Sequence, residues 1–209
     1  MSIIKFIQDG GFFMYPILLI MFVGLGMAIE RIMFLNRVKN ANKALWDDVY
    51  PSIQKGDTEK ALKAVKDNKT EIGRILEYGL TRNRSAKSVG DVETAMEEAL
   101  MEVMPRLEAR TPFIATFANV ATLLGLLGTV QGLINAFAAI ANADPAQKGD
   151  LLSNSISIAM NTTAFGLMVA IPLLLAYAFL QSRTGEVVES LEMASIKLLN
   201  ALRQIRNNA

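Results

Sequence analysis

The chain has 209 residues, 52% of them hydrophobic and 20% charged, a formal net charge of +1, and neither cysteine nor histidine. Near-neutral charge without a dense basic face excludes the usual nucleic-acid binder. The missing residue types exclude disulfides, thiol chemistry, thiolate or imidazole metal ligands and a histidine proton relay within this chain.

The charges are strongly segregated, and residues 10–29, 111–143 and 151–182 contain none. About 20 mainly apolar residues cross the roughly 30 Å of bilayer hydrocarbon as a helix. The expected fold is therefore an all-α membrane protein with three transmembrane helices and long helical extensions into the cytoplasm. Residues 1–9 form a short amphipathic segment and residues 10–35 the first transmembrane helix. That first apolar run lacks a small-residue cleavage site and reads as a retained span, not a signal peptide. Residues 36–110 follow as a cytoplasmic helical region. Residues 111–143 form the second span, 144–150 an outer loop, 151–182 the third span and 183–209 a cytoplasmic C-terminal helix.

Orientation follows from the cations. Arg31, Arg37, Lys39 and Lys43 follow span one, Arg106 and Arg110 precede span two, and Arg183 follows span three, against only Lys5 and Lys148 on the other side. The positive-inside rule places the N-terminus outside and the C-terminus in the cytoplasm. Glu30-Arg31 at the inner boundary reads as an interfacial ion pair or a contact between subunits.

Within residues 36–110 two helix starts are expected, one capped by Asp57 with Glu59 in its first turn and one capped by Asp91. After Asp91, the residues Val92, Met96, Ala99, Leu100, Val103 and Leu107 recur at helical spacing and predict a rod of about fifty residues running into span two, bent at Pro105 and Pro112. The tail repeats Val187, Leu191, Ala194, Leu198, Leu202 and Ile205, an amphipathic helix. With so few turns this region is expected to bury its stripes against copies of the same chain. Trp46 and Tyr50 read as packing residues.

The chemistry is concentrated in spans two and three. Thr122, Gly125, Thr129, Gly132 and Ala136 share one helical face, and Gly128 with Gly132 forms a GxxxG pair that permits close helix approach. Span three carries Asn161, Thr162, Thr163, Gly166 and Pro172, the last expected to bend it. Gly125, Gly128, Gly132, Gly166 and Pro172 are the candidate helix-packing residues, and Thr129, Thr163, Thr162 and Asn161 the candidate ion pathway. Taken singly, such threonines more often back-bond to their own helix, and such glycines more often serve packing, than line a path. Taken together, hydroxyls recurring at similar depth in two spans point to a polar path, because polar atoms facing lipid are costly. Beyond Glu30 at the inner boundary, no carboxylate lies within any span. Hydroxyls and carbonyls can supply oxygen ligands to a hard cation but cannot hold a titrating proton near neutral pH, so a partner would supply the acid.

At these residues the chain resembles a known family. Residues 123–130, Leu-Leu-Gly-Leu-Leu-Gly-Thr-Val, preceded by Ala118-Asn119-Val120-Ala121, resemble the second-span signature of the ExbB/TolQ/MotA ion-channel family. Residues 162–172, Thr-Thr-Ala-Phe-Gly-Leu-Met-Val-Ala-Ile-Pro, resemble its third-span signature. Three spans match the ExbB and TolQ branch better than the four-span MotA branch. The resemblance implies a homopentameric ring in the bacterial inner membrane with a periplasmic N-terminus, surrounding a dimer of ExbD/TolR-like single-span subunits whose membrane aspartate carries the ion. Thr129 and Thr163 fall on the family's path-lining positions. The transported ion is Na+ or H+, no cofactor is implied, and a TonB-like or TolA-like protein is the indirect partner.

The chain departs from the pattern at Ile158, where many relatives carry glutamate, and at Asn161, where an apolar residue is common. Asn161 with the paired threonines leans towards dehydrated sodium near Thr129 and Thr163, although proton-driven members also carry paired threonines. Two other classes compete. A non-conducting membrane scaffold would use the polar stripes only to pack helices around its single-span partner. An enzyme such as an intramembrane protease is disfavoured, because the span serines have no membrane lysine as base and histidine and cysteine are absent.

Overall fold

The computed structural model describes residues 10–86, 88–141 and 143–207, so the expected amphipathic segment 1–9 lies outside the described residues. Six helices follow in chain order: α1 (Met14–Gln54), α2 (Thr58–Val65), α3 (Glu71–Asn83), α4 (Val89–Glu108), α5 (Thr111–Ala141) and α6 (Lys148–Asn207). There is no strand among the described residues. Three stretches are long and apolar enough to cross a membrane, carried by α1, by α4 with α5, and by α6. The chain divides into two compact units, one of residues 10–30 and 110–180, the other of residues 31–109 and 181–207.

In the second unit the local signals are chemical. The C-terminal end of α1 closes in a Schellman motif, with Gly56 at φ +77°, its N–H donating to the Ile53 carbonyl and the Asp57 N–H to the Ser52 carbonyl; glycine takes this left-handed position without a Cβ penalty. Asp57 then caps α2, accepting from the Lys60 N–H at 3.0 Å. Thr70 caps α3 through the Gly73 N–H, while Asn42 on α1 accepts the next orphan donor, the Ile72 N–H, at 3.2 Å. The expected cap at Asp91 is displaced to Ser88. Ser88 accepts from the Asp91 N–H and Asp91 accepts from the Ser88 N–H, a capping box with aspartate at its third position.

The unit has a core of its own, against the expectation that its stripes would need other copies. Val38, Val49 and Ile53 of α1, Ala61 and Val65 of α2, Ile72, Ile75, Leu76 and Leu80 of α3, Val92, Met96, Ala99, Val103 and Leu107 of α4, and Val187, Leu191, Ala194, Leu198 and Leu202 of α6 are all buried together. The reason is that α1 and α6 continue past the apolar spans and add two long helices to those of residues 57–108. Trp46 stacks on Tyr50 with ring centroids 4.8 Å apart and packs against this core.

Arg31 is buried here as well. Its guanidinium donates to the Leu107 carbonyl and lies 4.6 Å from the Phe34 ring centroid. Glu30, beside it in the chain, pairs with Arg110 at 3.5 Å.

The expected fifty-residue rod is broken. α4 ends at Glu108, Arg110 takes φ +66°, and α5 starts afresh at Thr111. Pro112 occupies the first turn of α5, where its missing N–H costs nothing, whereas Pro105 sits inside α4.

In the first unit, alanines and large aliphatic residues share the contacts. Ile17, Ala28, Ile114, Ala118, Ala121, Ala136, Ala159, Val169, Ala170 and Leu173 are buried. Phe22, Ile29, Leu123, Val130, Phe137, Met168, Ile171 and Leu175 face outward. Large apolar residues facing outward, with alanines among those buried, suit helices packed in lipid, where close approach rather than water exclusion drives association.

Candidate functional site

The polar residues of the spans are set by how closely α5 and α6 approach. A Cβ added to Gly166 would lie 2.7 Å from the Ala121 carbonyl oxygen and 3.1 Å from Gly125 Cα, and one added to Gly125 would lie 3.2 Å from Thr163 Cα. Backbone meets backbone there. One turn along, a Cβ on Gly128 would lie 2.4 Å from the Thr162 methyl, and another turn along one on Gly132 would lie 2.6 Å from Ala159 Cβ. The four glycines therefore lie along one seam that no larger residue could occupy without separating the helices. Pro172 lies within α6, beyond this seam.

The seam sorts the threonines. Thr163, half-buried, donates its hydroxyl hydrogen across to the Gly125 carbonyl at 2.8 Å. Thr162 is 2% exposed, and its hydroxyl lies 2.6 Å from the Gly10 carbonyl and 3.1 Å from that of Ile158 in its own helix. Thr129 is half-buried and donates to the Leu126 carbonyl one turn back at 2.6 Å. Thr122 does the same to Ala118 at 3.2 Å. Thr162 and Thr163 are thus brought against Gly128 and Gly125 respectively. The Thr129 hydroxyl is bonded only within α5, and the side chain of half-buried Asn161 has no hydrogen bond among the described residues.

The electrostatics follow from what the hydroxyls have spent. Each of Thr129, Thr162 and Thr163 has its single hydrogen committed to a carbonyl, which leaves oxygen lone pairs as the remaining capacity. Such oxygens accept a proton donor or ligate a hard cation, and cannot release a proton. Among the described residues no group of three His, Cys, Asp or Glu side chains could hold a metal. The seam holds oxygen acceptors in a charge-free surrounding.

Two features escaped the sequence reading. The Gly10 carbonyl is the acceptor for Thr162 across 152 residues, and Gly11 at φ +78° lies against Ile158. A Gly-Gly pair just before an apolar run was the only available sign. Gln131 and Asn135, one turn apart on α5, bond to each other at 3.0 Å and add an exposed amide pair on that helix.

Comparison with known proteins gives concordant results. The family described as MotA/TolQ/ExbB proton channel family matches residues 67–193, well over half of the chain. A Methanothermobacter thermautotrophicus protein named as a biopolymer transport protein ExbB homolog is 29% identical over 197 residues, covering 92% of this chain and 67% of that protein. The biopolymer transport protein ExbB of Aquifex aeolicus is 34% identical over 111 residues, covering 53% of this chain and 72% of that one. The Tol-Pal system protein TolQ of Haemophilus influenzae is 39% identical over 93 residues, which span 44% of this chain but only 40% of that protein's length.

Proposed function

Since the chain belongs to the MotA/TolQ/ExbB proton channel family, we propose that it is the ring subunit of an ion-driven motor in the bacterial inner membrane. In this reading five copies surround a dimer of ExbD/TolR-like single-span subunits. Proton or sodium flow through the assembly does work on a TonB-like or TolA-like protein, energising either TonB-dependent uptake or a Tol-Pal-like envelope process. The N-terminus is periplasmic and the C-terminus cytoplasmic.

One observation carries the proposal: charge-free α5 and α6 segments hold half-buried threonine oxygens at a glycine seam with no acid of their own. Hydroxyl oxygens that keep acceptor capacity at this depth support a path, because polar atoms facing lipid are costly. A partner carboxylate passing Thr129 and Thr163 would find acceptors for its proton, or co-ligands for sodium. The scaffold reading has its own support in Thr162, whose hydroxyl is enclosed and bonded to the Gly10 carbonyl; Thr162 is accordingly assigned to packing and Thr129 and Thr163 to the path.

The test is ion uptake into proteoliposomes holding this chain with its single-span partner, with tracer sodium in one arm and a pH-sensitive dye in the other. The Thr129→Val/Thr163→Val double variant is expected to assemble normally, because interhelical hydroxyl bonds in membranes contribute only about 0.6 kcal/mol each, and to lose flux. Threonine-dependent sodium uptake makes the motor sodium-driven, and threonine-dependent acidification makes it proton-driven. Equal flux in variant and parent removes both residues from the path, and no flux of either ion leaves the scaffold.

A further inference from the structure

The strip of α5 and α6 that carries Thr129 and Thr163 is otherwise apolar. Thr163 donates to the Gly125 carbonyl at 2.8 Å, and in an α-helix that same carbonyl accepts the N–H of residue 129. Thr129 follows Gly125 by one turn on the same face of α5, so the two threonines stand at one level. The helices run antiparallel, since Gly125, Gly128 and Gly132 meet Thr163, Thr162 and Ala159 in that order. Positions three and four residues from each threonine share its face. Nearer the connection between the helices these are Leu133 on α5 and Met160 on α6, and farther from it they are Leu126 and Leu167. Leu133 is 41%, Met160 65%, Leu126 49% and Leu167 44% exposed, so all four face what the threonine oxygens face.

Along the helix axes each of the four stands about 4.5–6 Å from its threonine, so apolar side chains about 10 Å apart enclose the polar level. Exposed Val130 and Ala164 fill the surface between them. The next hydroxyl on that face of α5, Thr122, lies beyond Leu126 and is turned back on the Ala118 carbonyl at 3.2 Å. One level of oxygens between two apolar levels does not suit a free ion. An apolar constriction sheds water, and a charged species entering it gives up its hydration with only the threonine oxygens in exchange. A neutral species loses far less. A protonated carboxyl group is neutral, and so is a sodium ion paired with a carboxylate.

We propose that Leu133 with Met160, and Leu126 with Leu167, are two apolar barriers that pass the ion only as a neutral pair with a partner's carboxyl group and exclude it when free. Ion movement is thereby tied to movement of the partner. This rests on the path reading above. It gives four large apolar residues a role beyond contact with lipid, since a strip facing lipid would place the threonine oxygens in hydrocarbon as well.

The test is ion leak in proteoliposomes holding this chain with its single-span partner, the partner's membrane acid replaced by the corresponding amide. Sodium tracer and a pH-sensitive dye report the two ions, and the parent chain is expected to be tight. Leu133→Ser/Met160→Ser combined with Leu126→Ser/Leu167→Ser should raise the leak of at least one ion by roughly tenfold or more, about 1.4 kcal/mol off the barrier. The apolar control, Leu→Ile at the three leucines with Met160→Leu, should stay at the parent level. A parental leak from an assembled serine variant overturns the barriers. A second measurement serves if the serine variant fails to assemble. In this cysteine-free chain, Leu133→Cys and Leu126→Cys should each react with a charged, membrane-impermeant thiol reagent at least roughly tenfold more slowly than Ser153→Cys, which is exposed near the start of α6. Equal rates show water along the strip and overturn the barriers. If Thr129→Val/Thr163→Val keeps parental flux with the partner's acid intact, the path reading falls and the barriers with it. If that variant loses flux while the serine variant stays tight, the barriers alone fall.

Discussion

Gly166→Ala tests the closest contact in the membrane unit. The added methyl would sit 2.7 Å from the Ala121 carbonyl oxygen and 3.1 Å from Gly125 Cα, both backbone atoms that no rotamer can move. Restoring the roughly 3.4 Å of an ordinary contact moves α5 about 0.7 Å away from α6, a displacement that forfeits about a quarter to a half of the dispersion well of each contact along the seam. The same displacement stretches the bond from Thr163 to the Gly125 carbonyl, now 2.8 Å, to about 3.5 Å, beyond useful hydrogen-bond length. Overpacking of this kind costs about 1–3 kcal/mol, and the lost hydroxyl bond adds about 0.6 kcal/mol. Alanine's better helix propensity returns up to about 1 kcal/mol, leaving a net loss of roughly 1–3 kcal/mol. Gly185 on the same helix has nothing within 4 Å of an added Cβ, so Gly185→Ala is the matched control and should gain up to about 1 kcal/mol. Thermal unfolding in detergent, followed by far-UV circular dichroism, should move in opposite directions for the two variants, by roughly 2–4 °C per kcal/mol. A rise in midpoint for Gly166→Ala equal to that of Gly185→Ala would show that α5 and α6 do not meet backbone to backbone at this point.

Arg31→Met keeps the length of the side chain but leaves the Leu107 carbonyl near the end of α4 without its guanidinium donor and the Phe34 ring without its cation. The expected loss is about 2–3 kcal/mol, read as a lower denaturant midpoint, and an unchanged midpoint would remove that bond from the account. Acidification should act through Glu186, whose carboxyl is held below its ordinary range, first by the hydrogen bond from Lys39 and then by that from Arg183. A carboxylate with a lowered folded-state pKa stabilises fully above its unfolded value near 4.5 and loses that contribution as pH falls through its folded value. Glu186→Gln should therefore flatten the acid side of the stability profile below about pH 4.5; identical profiles for variant and parent would contradict this. The contribution is screened because all three groups are exposed, so low ionic strength is the condition in which to measure it.

The three apolar runs, and with them the all-helical class, were legible because a bilayer demands some twenty uncharged residues and this chain segregates its charges to supply them. The Asp57 cap was legible for an equally local reason, a side-chain oxygen three residues from an orphan N–H. The second cap was read three residues late, since Asp91 belongs to a box that opens at Ser88, and either residue alone suits the position. The break at Arg110 has no local signal, since the two prolines predict bends whereas the interruption is an arginine in the left-handed region.

At the candidate site, the sequence by itself determined which residue types stand at mid-span: glycines at helical spacing, threonines at similar positions, and no acid. It also carried the two signatures that place the chain in its family. Only the tertiary structure decided what each hydroxyl does. Thr162 and Thr163 are adjacent and identical, yet one is enclosed against Gly128 and bonded to the Gly10 carbonyl while the other reaches across to Gly125. Successive residues on a helix point about 100° apart, and which direction meets a neighbour depends on the register between α5 and α6. That register is set by the summed fit of Gly125, Gly128, Gly132 and Gly166 against their opposite residues, a property of two surfaces together that neither segment of sequence contains alone.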